Sequence, residues 1–396
     1  MHEWGGYFIV NGNERLLRML IVNKRNYPVC FERSSFCNRG RFFSPFAVQM
    51  RCVRDDLFSQ TLTIHYLTDG NCVLKFIYQK QEFLVPIYVL LKALAPCSGQ
   101  SDGSTDTYIY NRLVKGYFQN RQISDKIEVL LADGNKLGLF SQEQCLAYLG
   151  SRLRTVLEGV TTDMSDSDVG RFLLERILLV HCSSFKDKFN TLCLMVEKLY
   201  AFVAGECASD NLDATSNQEV LLGGHVYVSL MAEKLYDLLL GARAKLIKDL
   251  KNPKFDFMTI RNPNYLKKLM DSQTSIGKKL EHFLATGNLV SRSQLDLQQT
   301  AGFTIVPDKL NTTRYLSHFR SIHRGQYFTE MKTTTVRKLL PESWGFTCPV
   351  HTPDGSPCGL LNHITLSCAP IGKEETEMAQ KIPQFKQLLT KLGMHA

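Results

Sequence analysis

Apolar positions along this chain follow two regimes, a strand-like period first and a helical period later. Tyr7-Phe8-Ile9-Val10 is aromatic and β-branched, and Asn11-Gly12 tolerates the positive φ of a tight turn, which predicts a strand and a hairpin start. Leu16, Leu17, Met19, Leu20, Ile21 and Val22 follow, and so short an apolar run fits helix or strand equally. Over residues 60–78, Leu62, Ile64 and Tyr66 alternate with Thr61, Thr63 and His65, Asp69-Gly70 turns the chain, and Val73 to Tyr78 returns it. His65 falls on the polar side of this alternation and is expected at the surface.

Residues 98–106 (SGQSDGSTD) read as a polar loop, and helical spacing dominates afterwards, at 126–132, 143–158, 168–180 and 188–204. Asp210 to Asn217 is a polar break. Residues 225–250 predict a long amphipathic helix with Val226, Leu230, Leu235, Leu238, Leu239 and Leu246 on roughly one face. A further helix at 276–286 stops at Gly287-Asn288. Beyond Gly302, arginine, histidine and glycine mix with aromatics. The stretch SWGFTCPVHTPDGSPCGLLNH (343–363) holds too much Pro and Gly for a long helix or central strand. It reads as an ordered loop of the kind that carries function. Segregated helices and strands predict an α+β fold. A chain of 396 residues, 44% of them hydrophobic, has material for two or three cores.

No apolar run approaches the ~20 residues that span a bilayer, and MHEWGGYFIVNG lacks the basic start of a signal peptide. A soluble intracellular chain with no membrane partner is expected. The twelve cysteines are scattered without a CxxC pair, which argues for reduced, mostly buried thiols and against a zinc ribbon. Of the formal net charge of +9, +6 sits between Lys309 and Lys338, where seven Lys/Arg meet one acid, Glu330. A second basic run from Glu14 to Arg41 has seven Arg/Lys against Glu14 and Glu32. Charge runs are commonly solvated faces.

Self-sufficient catalytic constellations are absent. No GxxxxGK[ST] loop or HExxH occurs. The one GxSxG string, GQSDG at 99–103, has polar, small neighbours and no apolar helix expected after it, so it lacks the context of a nucleophile elbow. Asp166-Ser167-Asp168, with Asp163 nearby, sits in a polar turn before a helical pattern; there and at Asp55-Asp56 the reading is helix capping or solvation rather than metal binding. In TTRYLSHFRSIHRG (312–325), helical spacing puts Arg314, His318 and Ser321 on one side, and Arg320, His323 and Arg324 enter a Gly-ended turn. Guanidiniums without acid partners suit phosphate oxygens; a helix end favoured by its dipole is the alternative. Pro353-Asp354-Gly355 is a turn within a rigid loop.

Three segments, in order, resemble the second-largest subunit of cellular DNA-directed RNA polymerases: GGYFIVNGNERLLRML (5–20), NTTRYLSHFR (311–320) and VRKLLPESWGFTCPVHTPDGSPCGL (336–360). The wording of RMLIVNKRNYPVC, FCNRGRFFSPFAVQMRCVRDD, SQTLTIHYL and VHTPDGSPCGLLNH is similar to the polymerase I paralogue. The resemblance implies a fragment of that family, with a lobe (29–210) inserted in a protrusion (1–28 and 211–298), then a fork (299–366), then the start of an external domain (367–396). It implies a segment that lines the DNA cleft and guides template and RNA–DNA hybrid, without the family's catalytic part, its early N-terminal segment or its zinc-bearing clamp. Mg is then bound by the largest subunit and no cofactor by this segment. The implied partners are DNA, hybrid, the largest subunit and other polymerase I subunits, and the implied location is the nucleus and nucleolus.

Residue by residue, Arg320 matches the first fork-helix arginine and Arg337 the arginine before the family's T-H-[WY]-G motif. Asp354 stands at the second Glu of ETPEG and His351 at the first, a departure that exchanges a carboxylate for imidazole. Arg324 and Lys332 join the nucleic-acid candidates on charge alone. Two other readings compete. One is a truncated, non-catalytic module that binds other polymerase subunits. The other is an independent single-strand binder with Tyr315, Phe319, Tyr327 and Phe328 as stacking platforms.

Overall fold

The computed structural model describes residues 4–96, 103–115 and 121–371, apart from 162, 253, 254, 256, 274, 292, 293, 298, 332 and 333, together with 382–384, 387 and 388. β1 (Tyr7–Val10) and β2 (Asn13–Leu17) form the expected hairpin, with Asn11 and Gly12 at φ 51° and 77°. Tyr7 pairs with Leu16 and Val10 with Asn13. The ambiguous apolar run resolves as strand, broken at Arg18, and continues as β3 (Met19–Asn23).

β4 (Val29–Glu32), β5 (Phe43–Val53), β6 (Ser59–Leu67), β7 (Cys72–Tyr78) and β8 (Gln81–Pro86) make one antiparallel meander in chain order. The expected Asp69-Gly70 turn joins β6 to β7, with Asp69 Oδ1 accepting from Asn71 N at 3.0 Å. Six helices follow: α1 (Ile87–Leu94), α2 (Gly103–Val114), α3 (Arg121–Lys136), α4 (Gln142–Leu153), α5 (Asp166–Arg176) and α6 (Phe185–Val203). All buried members of the largest core lie between Cys30 and Phe202, so sheet and helices share one interior. The helix after GQSDG begins at Gly103 and buries Ile109 and Leu113, inside what the composition reads as loop and where no apolar helix was expected; residues 99–102 lie outside the described ones. Asp168 and Asp166 do sit in a capped first turn, below Ser165, and Asp166 pairs with Arg154 at 2.8 Å.

β9 (Gln218–Leu221), α7 (Gly223–Leu250), α8 (Pro263–Asp271), α9 (Ile276–Thr286) and β10 (Thr304–Ile305) return to the N-terminal strands. A second core mixes Val10, Leu17 and Leu20 with Leu221, Leu230, Phe283 and Phe303. α9 ends as expected on Gly287 in the left-handed region. α7 departs from its amphipathic reading: Val226 and Leu230 are buried, but Leu235 and Leu239 are exposed, because the helix outruns the core that its first turns cover.

α10 (Thr312–Phe319), β11 (Ser321–His323) and β12 (Leu361–His363) complete the described elements of the architecture. β11 lies between β3, parallel, and β12, antiparallel, while β9 pairs with the other edge of β3. β10 pairs with β2. The fold is α+β with several cores. The eleven described cysteines are free thiols: five buried, four half-buried, and Cys37 and Cys358 exposed. Among the described residues no helix is long and apolar enough to cross a membrane, and no cluster of His, Cys, Asp and Glu is arranged to hold a metal.

His65 contradicts the surface expectation: it is 1% exposed. The short 3-10 helix at Ser34–Arg39 folds Phe36 over that face, and Phe36 and Phe43 meet the imidazole edge-on at 4.7 and 5.5 Å. A period-two pattern cannot reveal a lid from elsewhere in the chain. Neither ring nitrogen finds a partner among the described residues, and burial pulls the pKa down to about 4.

Two predictions follow from this packing. A Cβ on Gly170 would lie 2.1 Å from Leu146 O, and one on Gly150 1.9 Å from Asp166 O, so α4 and α5 touch backbone to backbone. Gly170→Ala should destabilise the protein by about 1–3 kcal/mol in urea unfolding. Because His65 binds its proton more weakly folded than unfolded, its neutral form stabilises fully above pH ~6.5, and stability is lost as pH falls toward about 4. His65→Phe should remove that loss, worth about 2 kcal/mol at pH ~5; an unchanged pH–stability curve in the variant would contradict the assignment.

Candidate nucleic-acid interface

The basic segment after Gly302 is built on short elements with strong local reasons. Asn311 caps α10 by accepting from Arg314 N at 2.7 Å, and α10 stops at Arg320. β11 is buried at all three residues, and β3 and β12 pair with its two edges. The proline-rich loop then runs back beside β12: Cys348 N donates to His363 O at 2.8 Å and Thr365 N to Phe346 O at 3.0 Å.

Two side chains close that loop. Thr352 Oγ1 donates to Leu361 O and accepts from Gly359 N, both at 2.9 Å. Arg337 Nη1 donates to Ser356 O at 2.5 Å and Cys358 O at 2.8 Å. Gly359, at φ 74°, lies against Arg337, where a Cβ would meet Arg337 O at 2.5 Å; only glycine fits. Arg320 acts similarly on the next segment. Its Nε donates to Ile364 O at 3.2 Å and its Nη2 to Thr365 O at 2.5 Å and Cys368 O at 3.1 Å, with the guanidinium 4.9 Å from the Trp4 ring.

The absence of acid partners, read from the local sequence, does not hold in three dimensions. Arg324 pairs with Asp213 and lies 5.0 Å from the Phe328 ring. Lys309 pairs with Glu14, and Arg314 Nε is 3.4 Å from Asp308. Asp213 and Glu14 arrive from distant chain, and Asp308 sits one residue outside the basic window. Lys332 lies outside the described residues. Asp354 is exposed at its turn. Of the stacking candidates, Tyr315 and Phe319 pack on each other at 5.4 Å and Phe319 lies 6.2 Å from Tyr7, whereas Tyr327 is 54% exposed.

His351 stacks on His363 with ring centroids 3.4 Å apart and planes 5° from parallel. His363 Nδ1 must carry a proton, since it contacts His351 O at 3.0 Å and a carbonyl only accepts. Burial lowers the pKa of both, His363 to about 4, and Arg314 lowers His351 further. Local reading of the basic segment passed over Arg18. It sits at the β2–β3 break, half-buried, donates its backbone N–H to Phe303 O at 2.9 Å, and makes no side-chain hydrogen bond or ion pair among the described residues. Burial lowers its pKa, and it acts electrostatically on both His318 and His323. Its only sequence signal was membership of the earlier basic run.

A separate cleft of about 880 Å³ opens between the β4–β8 sheet and α7. Its cations are largely spent internally: Arg25 and Arg51 both hold Glu219, at 2.9 and 2.5 Å.

The family description "RNA polymerase Rpb2, domain 2" matches residues 24–221, half of the chain, and "RNA polymerase Rpb2, domain 3" matches 305–369. The chain belongs to the RNA polymerase Rpb2 family of second-largest subunits. Relatives include DNA-directed RNA polymerase I subunit RPA2 of Euplotoides octocarinatus, 55% identical over all of this chain and 33% of the relative. The probable RPA2 of Schizosaccharomyces pombe is 48% identical over 99% of this chain and 32% of its own length. Subunit RPA135 of Saccharomyces cerevisiae is 45% identical over 97% and 31%. The chain thus spans about a third of the length of these relatives.

Arg337→Ala should unlatch the loop without unfolding the protein. The Gly359 amide should then exchange at least about tenfold faster in hydrogen-exchange measurements, with β3 unaffected.

Proposed function

We propose that this chain works within RNA polymerase I, where it lines the DNA cleft and guides template and RNA–DNA hybrid while the catalytic groups lie elsewhere. The match of nearly all of this chain to relatives named as polymerase I subunits carries the reading. In it, the core of residues 30–202 corresponds to a lobe inserted into a protrusion, whose own core joins early strands to later helices. The segment from 299 to 366 corresponds to the fork. The largest subunit supplies the Mg site, and the complex resides in the nucleolus.

Within this reading, Arg320, Arg324 and Arg337 hold the fork segments in place for a strand. His351 and Asp354 are further nucleic-acid candidates, and Lys332 is one on charge alone. Val350 is 83% exposed, Trp344 62% and Phe346 54%. So many bare apolar side chains near one loop favour burial against other polymerase subunits. Contacts to phosphates neutralise charge without reading sequence.

The isolated chain should bind RNA–DNA hybrid with little sequence preference in fluorescence anisotropy. Affinity should fall at least about tenfold from ~50 to ~200 mM salt, linearly on logarithmic axes. In primer extension it should incorporate no nucleotide. Salt-independent binding, or robust metal-dependent incorporation, would refute the reading.

A further inference from the structure

Four side chains from three separate parts of the chain lie within electrostatic range of one another around α10. Arg314 and His318 stand one helical turn apart on α10 itself. Arg18 comes from the β2–β3 break and His351 from the proline-rich loop. His318 is the hub, interacting electrostatically with the other three and with Asp308. We propose that Arg18, Arg314, His318 and His351 form a binding site for one backbone phosphate of a nucleic-acid strand, and that filling it takes up a proton. The proposal rests on the nucleic-acid reading above and adds to it a location and a pH dependence.

Charge balance is the first argument. Among the described residues the carboxylate that acts on this group is Asp308, 3.4 Å from Arg314 Nε and itself half exposed. So open a pair contributes little. Arg18 makes no ion pair among the described residues, and its Nε is buried without a hydrogen-bond partner. His318 Nε2 is buried and unpartnered too. A buried donor without an acceptor, as at Arg18 Nε, costs free energy, and a phosphate supplies several acceptor oxygens at once. Arg314 keeps 42% of its side chain exposed, which leaves the site an open side.

Proton linkage follows from the same arrangement. Burial first, then Arg314, lowers the pKa of His351; burial, Arg314, Arg18 and His351 lower that of His318, with Asp308 opposing. Both imidazoles are therefore largely neutral near pH 7 in the empty site. An anion between them reverses the Coulomb effect and favours their charged forms. His363, behind His351, and His323, beside Arg18, are buried with pKa values of about 4 and stay neutral.

The test measures binding of the 396-residue chain to a short labelled single-stranded RNA and to an RNA–DNA hybrid between about pH 8 and pH 6. Affinity should rise as pH falls, approaching about tenfold per pH unit where one proton is taken up. His351→Gln should flatten this slope and His351→Glu should weaken binding throughout. Arg314→Gln should weaken binding while keeping a slope, and His282→Gln, on an exposed face of α9, should change nothing. Thermal melting checks that each variant is folded. Inorganic phosphate should compete at millimolar concentration and shift the ring-nitrogen NMR signals of His318 and His351. Salt-sensitive binding with no pH slope, or a full slope in His351→Gln, overturns this site and leaves the nucleic-acid reading standing. Binding to neither nucleic acid at any pH overturns both. Phosphate that shifts the ring signals without displacing the strand assigns the cluster to free anions and overturns the strand assignment.

Discussion

Pairing along Met19–Asn23 is the constraint on which the rest of this molecule depends. That strand accepts β9 on one edge and β11 on the other, so residues near 20, 220 and 322 become neighbours. Met19, Ile322 and Ile364 then bury one another, with Trp4 and Val220 packed around them. Such contacts close very long loops, which is entropically costly and slow but adds little per doubling of loop length. Once they form, Arg18 is held beside α10 and the proline-rich loop has a fixed strand to run along. Without β3, the basic segment would have no floor.

The arginines divide their labour. Arg320 and Arg337 satisfy backbone carbonyls in segments that are too poor in regular structure to satisfy their own. Arg324 ties the segment to Asp213 across the chain. A guanidinium suits this work because its planar fork can bridge several carbonyls at once. These groups give the loop a shape, while Arg18 nearby makes no ion pair among the described residues.

Local chemistry was readable and distant chemistry was not. Asn11-Gly12, Asp69-Gly70 and Gly287 each announce a turn or a stop through their own backbone freedom, and the structure has all three. The helical stretches between 121 and 203 were legible from spacing, and so was the irregular character of 343–363. His65 was misplaced because Phe36, which covers it, belongs to a turn almost thirty residues earlier. Leu235 and Leu239 were misplaced because a period tells which residues share a face, not where the covering core ends. Asp213 and Arg18 were invisible for the same reason: they come near the basic segment through the pairing of β3 with β9 and β11, which no local window contains. Family resemblance supplied the order of the parts, and the geometry supplied which charges meet.

Native-state hydrogen exchange followed by mass spectrometry tests the organising role of β3 most directly. Segments 19–23, 218–221, 321–323 and 361–363 should open together, with one shared free energy and one denaturant dependence. Rapid exchange at 321–323 and 361–363 while 19–23 stays protected would show that the basic segment is not built on that strand, and would contradict the account.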